Sequence, residues 1–100
     1  MMHFSPLSPL AWSKITRGAV SWKQRFDSDD GFHRYRVTYP NGYGAFIIGF
    51  PSSFGNEDSW EVGLMKGNAL FEDDEGYDYV YSDLSTEEEV IKLCDSFFYL

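Results

Sequence analysis

One hundred residues give room for one domain and one core, and nine Phe, seven Tyr and three Trp supply enough burial to exclude global disorder. A single cysteine, Cys94, excludes an intramolecular disulfide and suits a reducing cytoplasm. The net charge of −8 is divided: residues 1–56 carry six basic and three acidic side chains, and residues 57–100 carry two basic and thirteen acidic ones. Between Val37 and Asn56 there is no charged side chain at all. Such a division bears on partners rather than on fold. No apolar run approaches the roughly 20 residues that span a bilayer. Met1 to Pro6 lack the basic-then-apolar layout of a signal peptide. A soluble cytoplasmic protein is expected, with residues 1–100 forming a single domain.

Residues 1–31 form a basic N-terminal segment. Ser8-Pro9 reads as an N-cap followed by proline at the first helical position. Trp12, Ile15, Ala19, Trp22 and Phe26 then fall at 3-4-3-4 spacing, which predicts one helix with Lys14, Arg17, Lys23 and Arg25 off the apolar stripe. Gly18 inside that helix costs about 1 kcal/mol relative to Ala. A competing reading has Val20, Trp22 and Phe26 alternating along a strand. A basic amphipathic helix suits a membrane surface or a partner's groove, or simply covers a sheet with its cations in water. Asp27-Ser28-Asp29-Asp30-Gly31 is a polar turn.

Residues 33–81 read as a β-meander. Tyr35, Val37 and Tyr39 alternate with Arg34, Arg36 and Thr38 as a half-buried strand. Pro40-Asn41-Gly42 predicts a hairpin, with Asn-Gly as a two-residue loop. Tyr43 to Phe50 returns as an uncharged central strand, expected to be covered on both faces. Pro51 to Asn56 is a loop. Trp60 to Met65 makes a third strand closed by Lys66-Gly67-Asn68, with short strands at Ala69 to Phe71 and Tyr77 to Tyr81. The acidic Glu72-Asp73-Asp74-Glu75-Gly76 is a loop. Residues 85–99 form the C-terminal helix: Ser85 and Glu88 make a capping box, Glu87 to Glu89 suit the helix dipole, and Val90, Ile91, Cys94, Phe97 and Phe98 form the buried stripe. The expected fold class is α+β. It has a small antiparallel sheet of three to five strands, a capped C-terminal helix on one face, and a basic, helical N-terminal segment across the sheet or its edge.

Tyr39-Pro40-Asn41-Gly42-Tyr43-Gly44-Ala45 resembles the "fPNGYGASV" opening of a family of small uncharacterised bacteriophage and prophage proteins. Trp60-Glu61-Val62-Gly63-Leu64 and Leu84-Ser85-Thr86-Glu87-Glu88-Glu89-Val90 are similar to that family's "WELAVL" and "LTEEEV". Tyr77 to Asp83 loosely echoes its "YDTPITDDV". The resemblance covers roughly residues 33–95 and leaves the basic segment outside. It implies a phage setting, and so a host cell's cytoplasm. It brings no catalytic residues.

Few residues suit chemistry. His3 and His33 are the only histidines, and with Cys94 they form no metal-ligand spacing. A nucleophile–histidine site would have to use one of these two, so no enzyme, cofactor or metal is expected. A calcium loop beginning at Glu72 would place Tyr77 sixth and Asp83 twelfth, where glycine and glutamate are required. The Gly-aromatic run Asn41 to Ile47 is similar to the strand on which RNA-binding sheets stack bases. Ala45 between Gly44 and Phe46, however, puts Tyr43 and Phe46 on opposite faces.

The acidic half then points to a partner. A carboxylate-rich surface on a small domain offers charge complementarity to a basic nucleic-acid channel of another protein. The alternative is that the acids only keep an aromatic-rich domain soluble. The leading expectation is a non-enzymatic phage-type accessory protein that inhibits a host nucleic-acid-handling protein, in the manner of an anti-CRISPR or other anti-defence or host-takeover factor. Glu72, Asp73, Asp74, Glu75 and Asp78 would bind the partner, with Glu57, Asp58 and Glu61 as a second cluster. No direct nucleic-acid or membrane contact is expected, and the protein would be a monomer or homodimer. Two alternatives are an assembly module that self-associates through a sheet edge, and a weak single-strand nucleic-acid binder using Tyr43, Arg34 and Arg36.

Overall fold

Ser8 accepts a hydrogen bond from the Ala11 N–H at 3.1 Å and Pro9 follows it, so the first helix, α1 (Pro9–Thr16), begins where the Ser-Pro pair predicts. These relations come from a computed structural model that describes residues 7–29, 31–50 and 59–100, the side chain of Phe50 excepted. The helix does not run on to Phe26. Arg17 is extended, Gly18 takes a φ of +78°, and the Ala19 N–H returns to the Thr16 carbonyl at 2.9 Å. Gly18 is therefore a helix terminator, because the left-handed region is open to glycine.

The chain then leaves as β1 (Ser21–Asp27), which pairs antiparallel with β2 (Phe32–Thr38). The expected long N-terminal helix is corrected: only its first half is helical. The even spacing of Trp12 to Phe26 spans two elements, and the second satisfies its backbone on the edge of β2. The competing strand reading describes Trp22 and Phe26 correctly, but they are 54% and 55% exposed rather than buried.

The remaining strands are β3 (Tyr43–Phe50), β4 (Ser59–Lys66), β5 (Ala69–Leu70) and β6 (Val80–Leu84), all antiparallel. Their order is β1-β2-β3-β4, and β5 and β6 share the far edge of β4, so six strands make a sheet five strands wide. The last strand starts at Val80 rather than Tyr77, because Tyr77 and Tyr79 are held in the acidic loop.

The β2–β3 turn is a three-residue loop. Gly42 N–H bonds the Tyr39 carbonyl at 3.1 Å, and Gly42, at φ +86°, precedes the Tyr39–Tyr43 pair. The two-residue Asn-Gly form expected from sequence would need positive φ at Asn41 as well, which this backbone does not have. Gly67-Asn68 does close β4 and β5 as a two-residue hairpin, with Gly67 at φ +61°.

Tyr35, Val37, Tyr39, Ala45, Ile47, Trp60, Val62 and Leu64 line one sheet face and pack beneath both helices. Leu7, Ala11 and Ile15 come from α1 and its approach, and Val90, Cys94 and Phe97 from α2 (Glu87–Phe98). Tyr35 receives the Leu7 N–H at 2.9 Å, and the Tyr39 hydroxyl donates to the Ile15 carbonyl at 2.8 Å, so two core phenols fasten α1 to the sheet. The two helix starts are tied together: Ser8 donates its N–H to Glu87 Oε2 at 2.6 Å and its hydroxyl to Oε1 at 3.2 Å.

The N-cap of α2 is Thr86 rather than Ser85. Thr86 Oγ1 accepts the Glu89 N–H at 3.2 Å, and Glu89 rather than Glu88 is the carboxylate at the cap, accepting the Ser85 and Thr86 hydroxyls at 3.3 Å. β3 is central, as expected, but the helices cover one face only. Its alternate residues Phe46 and Ile48 are half-buried on the other face.

Candidate functional site

The acidic loop is organised around one of its own carboxylates. Asp73 Oδ1 accepts the N–H groups of Glu75 at 2.9 Å and Tyr77 at 3.0 Å, and its Oδ2 accepts the Tyr79 hydroxyl at 3.3 Å. Backbone bonds from Asp73 N–H to the Tyr77 carbonyl and from Gly76 N–H to the Asp73 carbonyl close the turn, below a Glu72–Asp78 bridge. The Tyr77 N–H leads a set of donors that hold the Asp73 carboxyl below the usual aspartate range, and the Asp73 charge pushes the Tyr79 phenol up. Asp73 is thus committed to the loop's shape, while Glu72, Asp74, Glu75 and Asp78 are exposed.

Glu61, on β4, accepts the Ser82 hydroxyl at 3.2 Å and projects to the face that the helices leave open, in one cross-strand row with Ile48 and Arg34. It is three residues, or about 10 Å of strand rise, from the Leu64 carbonyl that receives the Phe71 N–H beside the loop. Glu61 and the loop therefore share an edge without forming one cluster. Glu57 and Asp58, the rest of that second group, lie outside the described residues.

The opposite margin of the sheet, at β1 and β2, is basic. Residues directly paired across antiparallel strands project to the same face. Lys23 pairs with Arg36 and Arg25 with Arg34, while Arg36 and Arg34 pair in turn with Phe46 and Ile48. Four cations therefore stand on the face that the helices leave open, around a depression of about 180 Å³ that Phe46 also lines. Asp27 bonds Arg25 at 3.1 Å and stands 3.7 Å from Arg34. Arg36 donates to the Gly67 carbonyl and to Asn68 Oδ1 at 3.3 and 3.2 Å.

Sequence reasoning leaves Lys23 and Arg25 out of this group because it places them on a helix. The signal was present as two cation-x-cation alternations, Lys23/Arg25 and Arg34/Arg36, flanking a short polar turn. Tyr43 belongs to the other face, in register with Ala45 and Ile47, where Lys66 Nζ lies 5.5 Å from its ring and Phe71 packs at 6.0 Å. A strand binder built from Tyr43 with Arg34 and Arg36 is therefore corrected, because the sheet separates those groups.

Cys94 is fully buried, and burial pushes its thiol up to about 12 against a smaller opposing effect of the Tyr39 hydroxyl. His33 packs its ring between Phe26 at 4.7 Å and Tyr35 at 6.5 Å. His3 lies outside the described residues. Among the described residues no three His, Cys, Asp or Glu side chains gather where they could hold a metal ion. None of their helices is long and apolar enough to cross a membrane. No family model, curated protein or solved structure matches the chain.

Proposed function

We propose that this is a non-enzymatic binding protein that docks its acidic β4–β6 edge on a basic surface of a nucleic-acid-handling protein. The observation that carries this reading is the division of labour in the loop. Asp73 is spent on internal hydrogen bonds, so Glu72, Asp74, Glu75 and Asp78 are presented on a shaped turn rather than a loose one. A preorganised array loses less freedom on binding. It also steers association with a positive surface. The phage-like sequence pattern suggests a bacterial host's effector, nuclease or polymerase as the partner class, with inhibition as the outcome.

The test is surface-plasmon kinetics against the partner, once it is identified by affinity purification and mass spectrometry. Asp74→Lys/Glu75→Lys should slow association severalfold at low salt, and moderate salt should slow the wild type. Asp73 is left intact so that the loop keeps its shape. Equal association rates for both proteins at both salts would remove the acidic edge from the interface.

A second reading is favoured by the exposed Trp22 and Phe26 on edge strand β1: self-association through that edge. Sedimentation equilibrium of the wild type and Trp22→Glu separates the two, since only self-association depends on Trp22.

A further inference from the structure

We infer that the open face of the β1–β2 ribbon binds the phosphate backbone of a single nucleic-acid strand, with Lys23, Arg25, Arg34 and Arg36 as phosphate contacts and Phe46 as a stacking platform. This is a second surface, at the opposite margin of the sheet from the acidic loop. Its starting point is an arrangement that folding alone does not favour. Lys23 stands directly across from Arg36, and Arg25 from Arg34, whereas sheets ordinarily gain from opposite charges at such positions and lose from like ones. Asp27 serves Arg25 and Arg34, but Lys23 and Arg36 pair with no carboxylate among the described residues. A polyanion laid along the ribbon relieves both rows at once.

The geometry fits a strand of nucleic acid. Residues two apart along a β-strand are about 6.7 Å apart, close to the separation of successive phosphates on an extended single strand. The two rows therefore meet two consecutive phosphates, each from both strands of the ribbon. Phe46 is the direct cross-strand partner of Arg36 and lines the same depression, so a base beside the phosphate row reaches its half-buried ring. Bases in a duplex are stacked away from such a ring, which selects unpaired nucleotides.

The expectation of no direct nucleic-acid contact rests on the net charge and on a lack of cations beyond Arg34 and Arg36. β1 supplies two more. The acidic loop lies four strand spacings from β1 and three from β2, or about 19 and about 14 Å, beyond one Debye length at physiological salt, about 8 Å. Glu61, fastened to Ser82 two strands from Arg34, bounds the face on the β4 side.

Fluorescence anisotropy with a labelled oligothymidylate of about 12 nucleotides, the matching RNA and a duplex tests this at about 50 mM salt. Micromolar binding is expected for the single strands, several-fold weaker binding for the duplex, and a log–log salt slope of about −1.4, as two neutralised phosphates on a single strand give. Lys23→Gln/Arg25→Gln, both on the exposed edge strand, should lower affinity about tenfold or more with an unchanged thermal midpoint. Phe46→Leu should lower affinity while keeping the salt slope. The proposal is overturned by absence of binding, by binding indifferent to the double Gln variant, or by polyglutamate competing as well as the oligonucleotide. A salt-sensitive dimer that masks the face would overturn it equally, because the occupant would then be a second copy's acidic loop. The double Gln variant leaves that loop intact, so failure here is distinct from failure of the acidic-edge reading.

Discussion

The Asn41 side-chain amide donates to the Phe97 carbonyl at 2.9 Å, joining a hairpin turn to the end of a helix 56 residues away. The same Nδ2 reaches the carbonyls of Phe98 at 3.1 Å and Leu100 at 3.2 Å, and Asn41 Oδ1 accepts the Tyr43 N–H at 3.0 Å. α2 has no basic residue in its last turn, so Asn41 supplies the donor that its terminal carbonyls need. Asn41→Ala should cost about 1–2 kcal/mol in urea denaturation. Asn41→Asp keeps the acceptor for Tyr43 but sets a charge against the carbonyls, and it should be no milder than Ala. A milder Asp variant would assign the residue's value to the turn alone.

Gly44 has no room for a side chain. A Cβ placed there would run into the Val37 carbonyl oxygen, a backbone atom that cannot rotate away. Gly44→Ala should therefore cost about 2–3 kcal/mol, as overpacking of a tight site does. Gly42→Ala, with a φ of +86° and open space around it, should cost only the left-handed strain of about 1–2 kcal/mol. Equal midpoints for the two variants would show that β2 and β3 can separate to admit the methyl group.

The acidic loop has a defined pH response. The Asp73 carboxyl titrates below its unfolded value, so its contribution is complete above about pH 4, near the unfolded value. It is lost as pH falls through the lower folded value. Carboxyl NMR titration should place Asp73 below a free aspartate. Asp73→Asn removes the charge beside the Tyr79 hydroxyl and should bring that phenol down toward its ordinary value, visible in an alkaline absorbance titration. An unmoved Tyr79 would break the proposed link between the two side chains.

Cys94 reports on the core. With its thiol buried and pushed up to about 12, labelling by a disulfide reagent near neutral pH should occur only through unfolding. Phe97→Ala removes a ring from the same helix face, at about 3–5 kcal/mol, and should accelerate labelling in step with the lost stability. Labelling of the native protein at the rate of a free thiol would show that α2 opens locally.

The meander and the C-terminal helix were legible because each carries one period over several residues: two in Tyr35-Val37-Tyr39, and three or four in Val90-Cys94-Phe97. The N-terminal segment was not, because Trp12, Ile15, Trp22 and Phe26 keep helical spacing across a break that only the backbone of Gly18 reveals. The cap of α2 falls one residue later because Ser85 and Thr86 both carry a hydroxyl able to cap, and it is Thr86 Oγ1 that accepts the Glu89 N–H. The cationic face depended on a pairing register that no local pattern specifies. The Asn41-Gly42-Tyr43-Gly44-Ala45 run, which carries the phage-like resemblance, is accounted for here by structure. It caps a helix, turns the chain, packs on Phe71, admits Val37 closely and fills the core.

The two margins of the sheet are unequal. Beyond β4 lie a strand of two residues and a strand of five interrupted by Asp83 at φ +61°, with a register shift between Trp60 and Val62. Neither presents a straight run of main-chain donors and acceptors to a newcomer, whereas β1 presents seven residues. Growth of the sheet is therefore one-ended. Two molecules joined along β1 would exhaust the only regular margin that the described residues of each present, so such a union terminates as a pair rather than propagating into a fibre.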